Sequence, residues 1–155
     1  MSEEAEVKRP EEIFDLAEAQ AQDEADFVVR HPKTDAPTTW IWTFFGPGHP
    51  NTIAVSNKAA KTAIRESKAQ QEARVNGKKW KADEVTIDEL RVQYTDNIIG
   101  RTKAFTPIKF GSETIEYSPE AVRKFLMDRK MSWLLMQIIN FLEEDANFIK
   151  PSVVN

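Results

Sequence analysis

Lys58, Lys61, Arg65 and Lys68 follow one another at spacings of three, four and three residues. On an α-helix this spacing gathers four cations on one face, where they attract phosphate or carboxylate groups. Lys78, Lys79, Trp80 and Lys81 then add a basic patch with an aromatic side chain, a composition that nucleic-acid surfaces use. Glu66 and Glu72 interrupt the run and the chain carries a net charge of −4. The balance favours an acidic protein partner, or an acidic segment of the chain itself, over nucleic acid.

Groups for covalent or acid–base chemistry are scarce. There is no Cys, which removes thiol nucleophiles, disulfides and thiolate zinc sites together and suits a reducing compartment. The two histidines, His31 and His49, both lie beside Pro, without the i, i+4 spacing that sets two ligands on one helix face. No Gly-x-Ser-x-Gly elbow is present, so no serine is set up for attack by the usual route. Glu143-Glu144-Asp145 reads as a solvated charge run at a helix end. Gly46-Pro47-Gly48-His49-Pro50 lacks the Lys-Ser/Thr ending of a phosphate cradle and reads as a turn. The expectation is a protein without enzymatic activity, cofactor or metal.

The aromatic residues form the other candidate surface. Period-two alternation over Thr38 to Phe45 puts Trp40, Trp42 and Phe44 on one strand face and Ile41, Thr43 and Phe45 on the other. Trp40, Trp42 and Phe44 serve either as core or as an anchor strip for another protein. The same two readings hold for Trp133 and Met136, with Phe141, on a last helix that is apolar around most of its circumference.

These residues must be positioned by one domain, since 155 residues with 41% hydrophobic and 10% aromatic content suit a single core. Pro10 opens a short helix bearing Ile13, Leu16 and Ala17. Phe27-Val28-Val29 and Thr38 to Phe45, joined through His31-Pro32 and Pro37, predict a β-hairpin. Thr52 to about Val75 predicts a long helix closed by Asn76-Gly77, with a thin apolar face of Ile53, Ala60 and Ile64. Thr86 and Glu89 form a capping box for a helix with Ile87, Leu90, Tyr94 and Ile98 at helical spacing and Gly100 at its end. Pro107 to Tyr117 predicts a second short hairpin around Gly111-Ser112. Ser118-Pro119-Glu120 starts a helix carrying Val122, Phe125 and Leu126. Asp128-Arg129-Lys130 breaks it, and Ser132 opens the last helix.

The fold class is therefore α+β: a helix-dominated single domain with an N-terminal β-hairpin and a second short hairpin. Residues 1–24 are an acidic, partly helical arm, 25–149 the body and 150–155 a tail. Residues 1–26 carry ten acids and two bases, a net of −8, whereas residues 27–110 carry fourteen bases and eight acids, a net of +6. Such an arm suits folding back on the body or meeting a neighbour in a homo-oligomer. No apolar run approaches the roughly 20 residues that cross a bilayer. The acidic start Met1-Ser2-Glu3-Glu4 lacks the apolar stretch of a secretory signal, so a cytoplasmic location is expected.

The order of segments resembles the tail assembly chaperones of tailed bacteriophages over about residues 14–149. The front of the likeness is Phe14-Asp15-Leu16, Val28-Val29-Arg30-His31-Pro32 with Thr34 and Pro37, a β-run ending in Phe45-Gly46-Pro47, and the Ala/Lys/Arg-rich helix. The back is Glu89-Leu90, Ile98-Ile99-Gly100, Phe110-Gly111-Ser112-Glu113, Tyr117-Ser118-Pro119-Glu120-Ala121 and Asp145-Ala146-Asn147-Phe148. The chain departs from the pattern at Arg101, where the family usually has Trp, and at Ser132, where it usually has Pro. The resemblance implies a non-enzymatic chaperone in the host-cell cytoplasm. Such a chaperone binds the helical, aggregation-prone tape measure protein, keeps it soluble, is displaced as tail tube protein polymerises, and stays out of the finished tail. It also implies a frameshifted longer form of the same chain as a companion. Under it, Trp40, Trp42, Phe44, Trp133, Met136 and Phe141 divide between core and client, and Lys58, Lys61, Arg65 and Lys68 face acidic segments. The rivals are a small nucleic-acid-binding regulator using the basic helix 58–81 and a structural tail or head-completion protein.

Overall fold

A computed structural model of the chain describes residues 13–77 and 87–151. It is α+β. Strands β1 (Glu24–Arg30) and β2 (Pro37–Phe45) form the expected hairpin, and β3 (Thr102–Phe105) adds to the free side of β2, giving an antiparallel sheet in the order β1-β2-β3. The hairpin turns through Asp35, whose positive φ of 61° a short polar side chain tolerates. His31 holds the turn, its Nδ1 accepting from the Lys33 and Thr34 N–H groups.

Helix α1 (Pro50–Val75) starts after the Gly-Pro turn with Pro in its first turn and His49 as N-cap. The His49 Nδ1 accepts from the Asn51 N–H at 3.1 Å, and its ring stacks on Phe45. Asn76 and Gly77, the latter at φ 68°, close the helix as expected. Helix α2 (Ile87–Arg101) leads directly into β3. Thr86, the cap expected for α2, and the patch Lys78 to Lys81 lie outside the described residues, as does Pro10.

The second hairpin is present as β4 (Ile108–Phe110) and β5 (Glu113–Ile115), turning at Gly111 with φ 65°. Helix α3 (Pro119–Leu126) is capped by Ser118, whose Oγ accepts from the Ala121 N–H at 3.0 Å. A 3₁₀ turn over Arg129–Met131 separates it from α4 (Ser132–Glu143). Arg91 bolts that junction from α2, donating to the Leu126 carbonyl at 2.9 Å and to the Ser132 Oγ at 2.8 Å.

The core lies between one face of the sheet and helices α3 and α4. Trp42, Phe44, Leu126, Leu134, Ile138 and Phe148 are wholly buried there. Aromatic rings make much of it: Trp40 meets Phe125 edge-on at 5.8 Å, and Phe27 lies 5.0 Å from Phe141. The segment after α4 is part of this body, because the Gln22 N–H donates to the Phe148 carbonyl at 2.7 Å and Ala21 pairs with Ile149. Among the described residues no helix is long and apolar enough to cross a membrane.

Two local expectations, the apolar faces of α2 and α1, need correction. In α2 the side facing the core is Thr95 and Ile98, while Ile87, Leu90 and Tyr94 are exposed. Small side chains win that position because the neighbouring elements come close: Thr95 donates to the Met127 Sδ at 3.6 Å. Gly100 stands at the end of α2 as expected, one residue before its last, and α1 crosses there: a Cβ at Gly100 would lie 2.4 Å from the Val55 Cγ2. In α1, Ile53 and Ile64 are 47% and 66% exposed, and the helix docks instead through Thr52 and Val55. The Thr52 hydroxyl donates to the Phe45 carbonyl at 3.4 Å.

Candidate partner-binding surface

The aromatic candidates fall on the inside of the body. Trp40, Trp42 and Phe44 are buried, so the reading of these three as an anchor strip for a partner is corrected: α3 and α4 cover the sheet face that carries them. Phe141 is also a core ring, within 5.0 Å of Phe27, 5.4 Å of Phe148 and 5.9 Å of Phe44. Trp133 packs against the core while partly exposed, and Met136 alone of the six stands mostly free, 53% exposed. The sheet and α4 thus use their apolar surface on each other, which is the physical reason the chain needs so many aromatics.

The basic candidates behave oppositely. Lys58, Lys61, Arg65 and Lys68 are all exposed, and none is ion-paired with another described residue. They occupy about a quarter of the helix circumference at 3.6 residues per turn. From Ser56 to Glu72 every residue of α1 is exposed. A helix of 26 residues is about 39 Å long at 1.5 Å per residue, and α1 is anchored to the body near its first turns. It is a polar helix whose stability rests on its Ala-, Lys- and Gln-rich composition more than on burial.

Beyond the crossing at Gly100, α1 and α2 enclose a groove of about 970 Å³. Ala54, Val55, Ala59 and Ala63 of α1 face Ile99 and Gly100 of α2, with Lys58 and Glu66 on one wall and Asp96 and Arg123 on the other. Arg123 on α3 pairs with Asp96 at 2.8 Å. A smaller recess over Ile99, Pro119, Glu120, Arg123 and Lys124 continues from the same residues. The structure therefore makes Lys58 a lining residue of the groove, whereas Lys61, Arg65 and Lys68 are exposed on α1 outside its lining. Sequence reasoning missed the α2 wall, and the signal that could have found it was Gly100, a glycine in the last turn of α2 whose missing side chain has a steric reason.

Arg101 joins several elements at once. Its guanidinium donates to the Phe45 carbonyl at 2.9 Å and to the Leu142 carbonyl at 3.4 Å, and lies 5.3 Å from the Phe148 ring centroid. Burial lowers its pKa from the ordinary value and Asp145 opposes that shift; it stays a cation. The one residue ties the ends of β2, α2 and α4 to the C-terminal 3₁₀ turn.

Neither histidine belongs to a cluster of acidic or histidine side chains: among the described residues no three such groups could hold a metal ion. Glu143, Glu144 and Asp145 are exposed at the end of α4. Compared with protein-family models, curated proteins and solved structures, the chain finds no match.

Proposed function

We propose that this protein is a non-enzymatic assembly chaperone of the tailed-phage type. It binds the tape measure protein in the host cytoplasm, keeps it soluble and yields it as tail tube protein polymerises. The observation that carries the reading is helix α1: a closed α+β body holds out a long polar helix bearing four exposed cations with no ionic partner among the described residues. A core that needed α1 would have buried it. An exposed, evenly charged helix with a groove beside it is instead a surface for another chain, and weak contacts repeated over many copies along one client give reversible holding. The family resemblance supplies the identity of the client.

Co-expression with the tape measure protein encoded nearby, followed by pull-down, tests this. Recovery of soluble client with the chaperone is the expected result; an insoluble client with none recovered overturns the reading. Purified particles should lack the protein, and finding it there would favour a structural tail or head-completion role.

A second reading rests on the same cations, because a row of unpaired Lys and Arg also suits nucleic acid phosphates. It requires an affinity for DNA or RNA that falls steeply with salt. A mobility-shift assay at two salt concentrations separates the two.

A further inference from the structure

We infer that residues 1–12, the acidic start of the chain, dock on the cationic face of their own α1, the row Lys58, Lys61, Arg65 and Lys68. Residues 1–12 lie outside the described part of the structure, and the segment they lead into is anchored beside that helix. The Gly46 N–H donates to the Asp23 carbonyl at 2.7 Å, and a Cβ at Gly46 would strike the Gln22 carbonyl oxygen. Gly46 stands four residues before Pro50, the first residue of α1. The arm therefore meets the body at the base of the helix. From Pro50, Lys58 is about 12 Å along α1 and Lys68 about 27 Å, so the row covers about 15 Å. Twelve residues of extended chain reach about 40 Å.

Charge selects the face. Residues 1–12 carry Glu3, Glu4, Glu6, Glu11 and Glu12 against Lys8 and Arg9, a net of −3. Helix α1 carries Lys58, Lys61, Arg65, Lys68 and Arg74 against Glu66 and Glu72, a net of +3. Glu66 lies about 100° around the helix from Arg65, and Glu72 stands one turn beyond Lys68, where it ends the row. Within the row every neighbouring pair is like-charged at a spacing of three or four residues, which repels. An acidic segment laid along it relieves that repulsion on a helix that burial supports only near its start. Other cations of the body are already engaged. Lys103 pairs with Glu24, Arg123 with Asp96 and Arg129 with Asp88, while Arg91 and Arg101 donate to backbone carbonyls. Exposed ion pairs are individually weak, and the tether compensates by holding the arm at an effective concentration on the order of millimolar. The functional consequence rests on the chaperone reading: the arm occupies the face a client needs and is displaced by it.

The chain has no Cys, so Ser2→Cys gives the full-length protein one site for a nitroxide label, and broadening of isotope-labelled amide signals reports which residues the label approaches. The expected result is broadening concentrated on residues 58–68 of α1. It should be lost in about 1 M salt, where charges are screened beyond about 3 Å. It should also be lost in Lys58→Glu with Lys61→Glu, Arg65→Glu and Lys68→Glu. Loss is expected again when Glu3, Glu4, Glu6, Glu11 and Glu12 are all changed to Gln, a variant that leaves α1 itself untouched. Broadening that misses α1, spreads evenly over the body or survives both sets of charge changes overturns the inference. A mixture of spin-labelled chain without isotope and isotope-labelled chain without the spin label tests the other occupant. Broadening of α1 in that mixture as strong as within one chain means that the arm crosses to a second copy, which overturns docking on its own helix.

The two readings fail separately. In pull-down, the Glu→Gln arm variant should recover more tape measure protein than the wild type. Equal recovery with the α1 contact intact overturns the arm's competition with the client, and no recovery by either protein with the contact intact overturns the chaperone reading alone.

Discussion

Gln137 on α4 closes both backbone groups of Arg30 at the end of β1: its Oε1 accepts from the Arg30 N–H at 3.0 Å and its Nε2 donates to the Arg30 carbonyl at 2.9 Å. A side-chain amide here stands in for the peptide of a neighbouring strand. β1 is an edge strand, and covering part of its free side locks α4 in register with the sheet and blunts pairing with other chains. Gln137→Leu removes both bonds while keeping the volume. At about 0.5–1.5 kcal/mol net per bond, a loss of roughly 1–3 kcal/mol for the two is expected in urea unfolding with an unchanged slope.

The crossing of α1 over α2 depends on the absence of a side chain at Gly100. Gly100→Ala would gain about 1 kcal/mol of helix propensity in isolation. The new Cβ, however, meets the Val55 Cγ2 at 2.4 Å, and a β-branched side chain has little rotamer freedom with which to yield. A net destabilisation of about 1–3 kcal/mol is expected. Adding Val55→Ala should restore most of it, and a double-mutant cycle in denaturant measures the coupling. Simple additivity of the two losses would show that the contact is not what makes the glycine necessary.

Burial separates the aromatic and apolar candidates by what their loss does. Trp42→Ala, at a wholly buried position, should cost about 3–5 kcal/mol, a large fraction of the roughly 5–15 kcal/mol that holds an ordinary domain folded. Met136→Ala should stay within about 0.5–1 kcal/mol, in keeping with an exposed site. Thermal unfolding by circular dichroism distinguishes the two, and comparable losses at both positions would contradict the packing of α4 described above.

Alkaline pH should weaken the fold through Tyr117. Its hydroxyl donates to the Thr102 carbonyl at 3.4 Å, and burial, then the charge of Glu120, raises its pKa above the ordinary 10.0. An acid that ionises later in the folded chain contributes stability that is full below the unfolded pKa and is lost as pH rises through the folded value. The melting temperature of the wild type should therefore fall more between pH 9 and 11 than that of Tyr117→Phe, on a scale set by the tyrosine titration. Parallel curves for the two proteins would exclude Tyr117 as a source of alkaline sensitivity.

Much of this protein is legible in its sequence. Short-range chemistry marked the elements: His31-Pro32 to Pro37 turned the hairpin, Ser118-Pro119-Glu120 started α3, Asn76-Gly77 closed α1 and Gly111 turned the second hairpin. Each acts through its own backbone and nearest neighbours, so the sequence is sufficient to reveal it. The four cations of α1 were legible for the same reason, since helical spacing alone puts them on one face.

Which faces meet was decided only in three dimensions. β3 carries no turn signal of its own and becomes a strand because β2 offers it a ladder. Ile53, Ile64, Ile87 and Leu90 are apolar at helical spacing yet lie exposed, while Thr52, Thr95 and Gly100 take the close contacts. Periodicity reports where a helix keeps its apolar residues, whereas packing selects the side that fits the space its neighbours leave. The same limit left Trp40, Trp42 and Phe44 with two readings until α3 and α4 were seen to cover them. The sequence determined the pieces and the charge on α1; the tertiary structure alone assigned the aromatics to the core and left the basic helix and its groove open to a partner.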